Sequence, residues 1–347
     1  MSLRQAAGQV LIVGLEGPAL SALETAWLKL LRPAGVILFR RNVESATQTH
    51  ALLKATEQAV QSPMLRAIDV EGGTVDRLRD LIAPMPSPFA VAGTKKPALF
   101  KKHGTLIGRE VRLLGLNTTF APVLDLRTPE SEPVMTSRVV GDAQQVIRYA
   151  SQFLAGLAQQ KVMGCGKHFP GLGSGQVDSH HATPTITRSL SSLWQEDLLP
   201  YRELNEQLPM VMISHASYSA AVPEPASISP YWIREVLVRE MGYRGLIVSD
   251  DMEMGGILKF TSVGDAAVRS LVAGTHLVEI CRDPALVFAA YEALLAEAEK
   301  SAAFARILRQ AATRAQQTEW PALSSAPAQT AIDKIRGEVE IFRQQVA

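Results

Sequence analysis

Eight short apolar, β-branched runs recur along the chain, spaced so that a helix fits between most neighbours. They are VLIVGL (10–15), GVILFR (35–40), LRAIDV (65–70), NTTFAPVLDL (117–126), VMGCGKHF (162–169), MVMISHA (210–216), GLIVSDD (245–251) and HLVEIC (276–281). Runs of this length bounded by turn residues read as buried strands. Between them lie stretches with helical period, such as ALSALETAWLKLL (19–31), QVIRYASQFLAGLAQQ (145–160) and DPALVFAAYEALLAEAEK (283–300), the last opened by Asp283-Pro284. Strands alternating with helices imply right-handed crossovers and a parallel sheet. Eight such units predict an α/β fold, a single (β/α)8 TIM-type barrel. An open doubly wound sheet often carries G-x-G-x-x-G after its first strand, whereas the turn here reads GLEGPAL.

The strand ends sharpen this expectation. Asp69, Asp125, Lys167 with His168, His215, and Asp250 with Asp251 all fall where apolar runs stop. In a closed barrel the C-terminal ends of the strands share one rim, where active sites lie. Helix capping explains one or two of the acids, but not Lys167-His168 or His215. The barrel is expected to occupy 1–320. The Pro/Ser/Ala-rich WPALSSAPAQTA (320–331) and a last helical segment (333–346) make 321–347 a spacer and C-terminal helix packed outside the barrel, within the same domain.

Composition excludes several classes of function. Net charge is +1, which gives no electrostatic case for nucleic acid or an anionic membrane. No apolar run reaches the ~18 residues of a spanning helix. VLIVGL is too short for a secretory h-region, so a cytoplasmic protein is expected. Two cysteines, Cys165 and Cys281, sit in apolar segments and suit reduced thiols rather than a disulfide framework. A tight metal-ligand pair such as H-x-H or H-E-x-x-H is missing, so no metal and no cofactor are expected.

Three segments concentrate chemistry. KHFPGLGSGQVDSHHATP (167–184) follows an apolar strand with Pro170 and three glycines, so it continues neither strand nor helix. Walker spacing is absent, and a lid carrying a proton donor is the better reading. In extended chain Asp178 and His180 point to the same side, and a carboxylate beside an imidazole fixes its tautomer and raises its pKa. His180 is thereby a candidate general acid and base, a loop turn with Asx bonding being the alternative. In GLIVSDDMEMGG (245–256) adjacent residues face opposite sides of a strand. One of Asp250 and Asp251 should enter the barrel mouth as a possible nucleophile, with Asp251 the candidate helix cap. AIDVEGGTVDRLRD (67–80) sets Asp69 at a strand end with Arg77 in reach, a pair suited to sugar hydroxyls or a ligand carboxylate.

Taken together, the KHFPG-G-----DSH---P, SDD, DVEGG-V-R, GVILFRRN, FAPVLDL and VMISHA motifs resemble the family 3 glycoside hydrolases, over roughly residues 8–285. They are most similar to its bacterial β-N-acetylhexosaminidase branch, which trims N-acetylglucosamine from cell-wall fragments. The resemblance implies Asp250 as nucleophile and His180, paired with Asp178, as acid/base. It implies sugar binding by Asp69, Arg77, Lys167 and His168, and more loosely by Arg138 in VMTSRVVGD. The implied partner is a small-molecule sugar, a muropeptide fragment bearing N-acetylglucosamine, acted on by a monomer. Specificity for that sugar follows from the resemblance alone. Three positions depart from the family's usual pattern: Leu172 where PGHG is common, Thr74 where EGGRV is common, and His276 where AGAD is common.

The expected reaction is a retaining exo-hydrolysis through a covalent glycosyl-aspartate. A neutral imidazole in place of a second carboxyl does not repel anions, so a phosphorylase using phosphate as acceptor is an alternative. A non-catalytic sugar-binding relative and a metal-dependent barrel hydrolase are two more.

Overall fold

The computed structural model describes residues 1–131, 135–175 and 183–347. Its centre is a closed barrel of eight parallel strands. We number them β1 (Leu11–Gly14), β2 (Gly35–Leu38), β3 (Leu65–Ile68), β4 (Thr118–Thr119), β5 (Met163–Phe169), β6 (Met210–Ile213), β7 (Leu246–Asp251) and β8 (Leu277–Ile280). Each pairs with the next in sequence, and β1 pairs with both β2 and β8 to close the ring. Each of the eight apolar runs supplies one barrel strand. Two runs are cut short. NTTFAPVLDL pairs only over Thr118–Thr119 before Pro122, which has no N–H to give, and regains β5 at a single bridge from Val123 to Lys167. LRAIDV leaves the barrel after Ile68, and Val70–Gly72 turns back on Val75–Asp76 as a two-stranded ribbon.

Strand parity divides each run between two environments. Ile12, Ile37, Leu65, Ala67, Phe120, Cys165, Met212, Leu246, Val248 and Leu277 fill the barrel interior. Their neighbours Val36, Ile68, Val211, Ile247 and Val278 belong to the layer under the surrounding helices. The helices start where side chains can satisfy their free amides. Ser21 and Glu24 form a capping box on Ala22–Leu31, Asp142 and Gln145 another on Ala143–Gln159, and Asp283 caps Pro284–Lys300. Each such cap contributes about 1 kcal/mol.

Beyond the helix Ala302–Gln316 the chain crosses the end of the barrel where the strands begin. Trp320 packs on the interior apolar cluster, and the Pro321 carbonyl accepts from Arg66 at 2.6 Å. The last helix, Gln329–Val346, then packs outside the barrel against Pro97–Leu113. There Arg109 pairs with Glu338, and Phe342 stacks obliquely on His103, ring centroids 5.7 Å apart. Cys165 and Cys281 are both buried and free. Among the described residues no helix is long and apolar enough to cross a membrane.

Candidate active site

At the C-terminal ends of the strands lies a cavity of about 160 Å³. That is smaller than the 300–1,000 Å³ usual for drug-sized ligands and suits a single sugar ring. Strand parity sets much of its lining, and register shifts on β5 and β7 add the neighbours His168 and Asp251. Counting inward positions up from the core, Leu65 and Ala67 lead to Asp69, Cys165 to Lys167, Leu246 and Val248 to Asp250, and Leu277 to Glu279. All four line the cavity with Arg77, Arg138 and His168.

One wall is a lattice of opposed charges. Lys167 Nζ donates to Glu71 Oε1 at 2.7 Å and to Asp69 Oδ1 at 3.1 Å. Arg138, on the turn Thr136–Arg138, grips Glu71 with two parallel bonds of 2.8 Å from Nε and Nη2. Arg77 approaches Asp69 at 3.9 Å. Burial opposes the charge on Glu71, but Arg138 and Lys167 overrule it and hold its pKa at about 2. Burial likewise opposes the charge on Lys167, and Asp69 and Glu71 keep it above the ordinary lysine range. This wall is fixed before any ligand arrives, and it offers donors and acceptors in the alternation that sugar hydroxyls match.

Glu71 reaches the lattice through a tight turn. Gly72 and Gly73 adopt φ of +94° and +65°, and a Cβ on Gly72 would stand 2.2 Å from the Pro86 carbonyl oxygen. Gly72→Ala should therefore destabilise the fold by on the order of 2–3 kcal/mol. It should also lower kcat/KM by pulling Glu71 off Arg138. Urea midpoints and steady-state kinetics check both; wild-type values for the two would refute the geometry.

His168 is oriented from behind. Its Nδ1 bonds Asp125 Oδ2 at 2.6 Å, and its amide and that of Leu172 reach Asp125 Oδ1 at 3.3 and 2.6 Å. Nδ1 is thus engaged, which leaves Nε2 for a ligand. The peptide bond between Lys167 and His168 is cis, and both residues line the cavity. His215 lies behind the wall. Its Nε2 donates to the Asp251 carbonyl at 2.9 Å, so Nδ1 accepts from Ser227 Oγ at 2.7 Å, and burial lowers its pKa.

Both aspartates of SDD line the cavity, because β7 shifts register between Val248 and Asp251, but their partners differ. Asp250 takes the inward position above Val248. Burial would raise its pKa, but the imidazoles of His168 and His215, the Asp251 amide and Lys167 outweigh burial and lower it. It is an ionised carboxylate at the mouth of the barrel. Asp251 does not cap a helix, as the sequence had suggested. Its Oδ1 accepts from the amides of Glu253 and Cys281 at 3.0 and 3.2 Å, tying β7 to the end of β8, and burial raises its pKa to about 7.

Asp69, Arg77, Arg138, Lys167, His168 and Asp250 are thus brought together around one cavity. Asp178 and His180 lie outside the described residues. Sequence reasoning placed Asp125 on the rim but gave it no role, and left Glu71 and Glu279 out of the site. The inward parity of Leu277 and Cys281 would have flagged Glu279. Of the three departures, Leu172 lines the cavity with an apolar side chain, and Thr74 is exposed in the ribbon turn. His276 immediately precedes β8 at the far end of the barrel, where its Nδ1 accepts from the Ile247 amide at 3.0 Å.

Comparison with known proteins agrees with this geometry. Residues 2–318 match the Glycosyl hydrolase family 3 N terminal domain. A β-hexosaminidase from Alkalilimnicola ehrlichii is 37% identical over 290 residues, covering 80% of this chain and 82% of that protein. One from Pseudomonas aeruginosa is 36% identical over 288 residues, covering 82% and 86%. Among solved structures, a family 3 β-N-acetylglucosaminidase from Paenibacillus sp. superposes with a TM-score of 0.87 at 30% identity, over 99% of this chain and 69% of that one. NagZ from Neisseria gonorrhoeae, in complex with N-trifluoroacetyl-D-glucosamine, superposes with a TM-score of 0.74 at 26% identity, over 88% and 98%. With a charged sugar-sized cavity at the mouth of its barrel and relatives of this kind along most of its length, the chain belongs to glycosyl hydrolase family 3 and is a glycoside hydrolase.

Proposed function

We propose that this protein removes terminal β-linked N-acetylglucosamine, one residue at a time, with retention of anomeric configuration. The observation that carries the reading is Asp250, kept ionised among imidazoles and Lys167 at one side of a cavity whose other wall is the Asp69–Lys167–Glu71–Arg138 lattice. A sugar held by that lattice presents its anomeric carbon to Asp250. The cavity's size favours a single ring, which is the signature of exo action. The names of the hexosaminidase relatives, and the glucosamine derivative bound to the Neisseria protein, support an N-acetylated hexosamine as the sugar.

In the first step an Asp250 carboxylate oxygen bonds the anomeric carbon as the glycosidic C–O bond breaks. His180 gives its proton to the departing oxygen. In the second, His180 takes a proton from water, the water oxygen bonds the anomeric carbon, and Asp250 leaves. The acid/base role of His180, with Asp178 setting its tautomer, rests on the DSH motif of the sequence. Asp69, Arg77, Arg138, Lys167 and His168 bind the sugar. Muropeptide fragments of the cell wall are the proposed source of substrate, and a cytoplasmic monomer the proposed form.

A panel of aryl β-glycosides, assayed with and without phosphate, tests the reading. The β-N-acetylglucosaminide should be turned over at least about 100-fold faster than the β-glucoside or β-galactoside, and the first-formed sugar should be the β-anomer. A sugar phosphate formed only when phosphate is present would instead make the protein a phosphorylase, the outcome that a neutral imidazole acid/base would permit. No turnover of any member would overturn the assignment.

A further inference from the structure

Glu279 occupies an inward position of β8, between Leu277 and Cys281, where the barrel's interior is otherwise packed with Phe120, Met212 and Val248. A carboxyl in an apolar layer is costly unless something satisfies it. The residue is only 3% exposed, yet it lines the cavity. Its Oε1 accepts from the Cys281 thiol at 2.9 Å. Its Oε2 has no hydrogen-bond partner among the described residues. Burial, then the carboxylates of Asp251, Asp69 and Asp250, push its pKa well above the ordinary range. Burial thus favours its neutral, protonated form. Such a group can both give and take a hydrogen bond, which is what a hydroxyl does.

We propose that Glu279 is a further sugar-binding residue, whose carboxyl bonds a ring hydroxyl of the bound sugar and so helps to set which sugar the site prefers. The proposal rests on the glycosidase reading above for the ring's placement between Asp250 and the charged lattice. A buried group left unpaired in the free enzyme is a strong discriminator, because a sugar lacking the matching hydroxyl leaves it unpaired in the complex as well.

The test compares wild type, Glu279→Leu and Glu279→Gln on the aryl β-N-acetylglucosaminide and its 3-, 4- and 6-deoxy analogues. Binding of N-acetylglucosamine and the same deoxy sugars is measured by titration calorimetry in parallel. Glu279→Leu should lose about 10- to 100-fold in kcat/KM and in affinity on the parent sugar. On one deoxy sugar the loss should shrink to under about threefold. Glu279→Gln, which keeps the shape and an N–H donor, should stay within about fivefold of wild type throughout and report on the site even if the leucine variant folds poorly. An unchanged parent affinity in Glu279→Leu, or an equal loss on every deoxy sugar, would overturn the proposal and make Glu279 a packing residue. If wild type turns over none of the glycosides, the glycosidase reading fails separately, and the binding measurements still decide whether Glu279 reads a hydroxyl.

Discussion

Asp250→Asn is expected to lower kcat on the aryl β-N-acetylglucosaminide by at least about 10⁴-fold, with KM changed little. Removal of the proposed nucleophile would abolish a bond made only along the reaction path, and losses of this order are typical. The amide keeps the size of the side chain, so the sugar binding proposed for Asp69, Lys167 and Arg138 should persist. Asp251→Asn is the matched control. Its Oδ1 remains able to accept from the Glu253 and Cys281 amides, and it should retain activity within about tenfold. Steady-state kinetics on the two variants separate the adjacent acids. If Asp251→Asn is the one that fails, the parity argument for β7 is wrong; if neither fails, the carboxylate attack is.

Glu71→Gln should cost about 3–5 kcal/mol of stability at pH 7, because it strands Arg138 and Lys167 against each other in a buried wall. The effect has a defined pH dependence. The folded pKa of Glu71, about 2, lies below its ordinary value of 4.5. Its charge therefore stabilises the fold fully above pH 4.5, and that contribution is lost as pH falls through 2. Near pH 3.5 the gap between wild type and variant should have narrowed by roughly 1 kcal/mol. Urea denaturation at pH 7 and pH 3.5 measures it. A gap that is small at pH 7, or that widens in acid, would mean the lattice does not depend on the Glu71 charge.

Much of this could be read before any coordinates. The eight apolar runs are legible because barrel strands are buried on both faces, and burial writes itself as continuous Val, Ile and Leu. Parity then carries Asp69, Lys167 and Asp250 into the cavity, since each continues an inward series. Glu279 obeys the same parity but is the one charged residue inside HLVEIC, whose apolar pattern is that of an ordinary buried strand. The Arg138–Glu71 clasp joins residues 67 apart through a turn with no periodic pattern, so local sequence contains no sign of it. The ladder of NTTFAPVLDL stops short for a reason that was visible, Pro122, yet its consequence depends on the partner strand. The C-terminal helix begins at Gln329, a few residues before the helical period suggested, because Ala and Thr carry little amphipathic signal.

The indole of Trp320 also bears on where this enzyme can be cut. The match to the family domain stops at residue 318, just before a side chain that stoppers the barrel's base. Arg66, buried on β3, has Glu57, the Gly115 carbonyl and the Pro321 carbonyl as its partners. Trimming to the matched domain would remove one of the three and admit water to the floor of the barrel. The minimal stable unit therefore runs past the matched family domain, and fusion partners belong after the last helix rather than at that domain's edge.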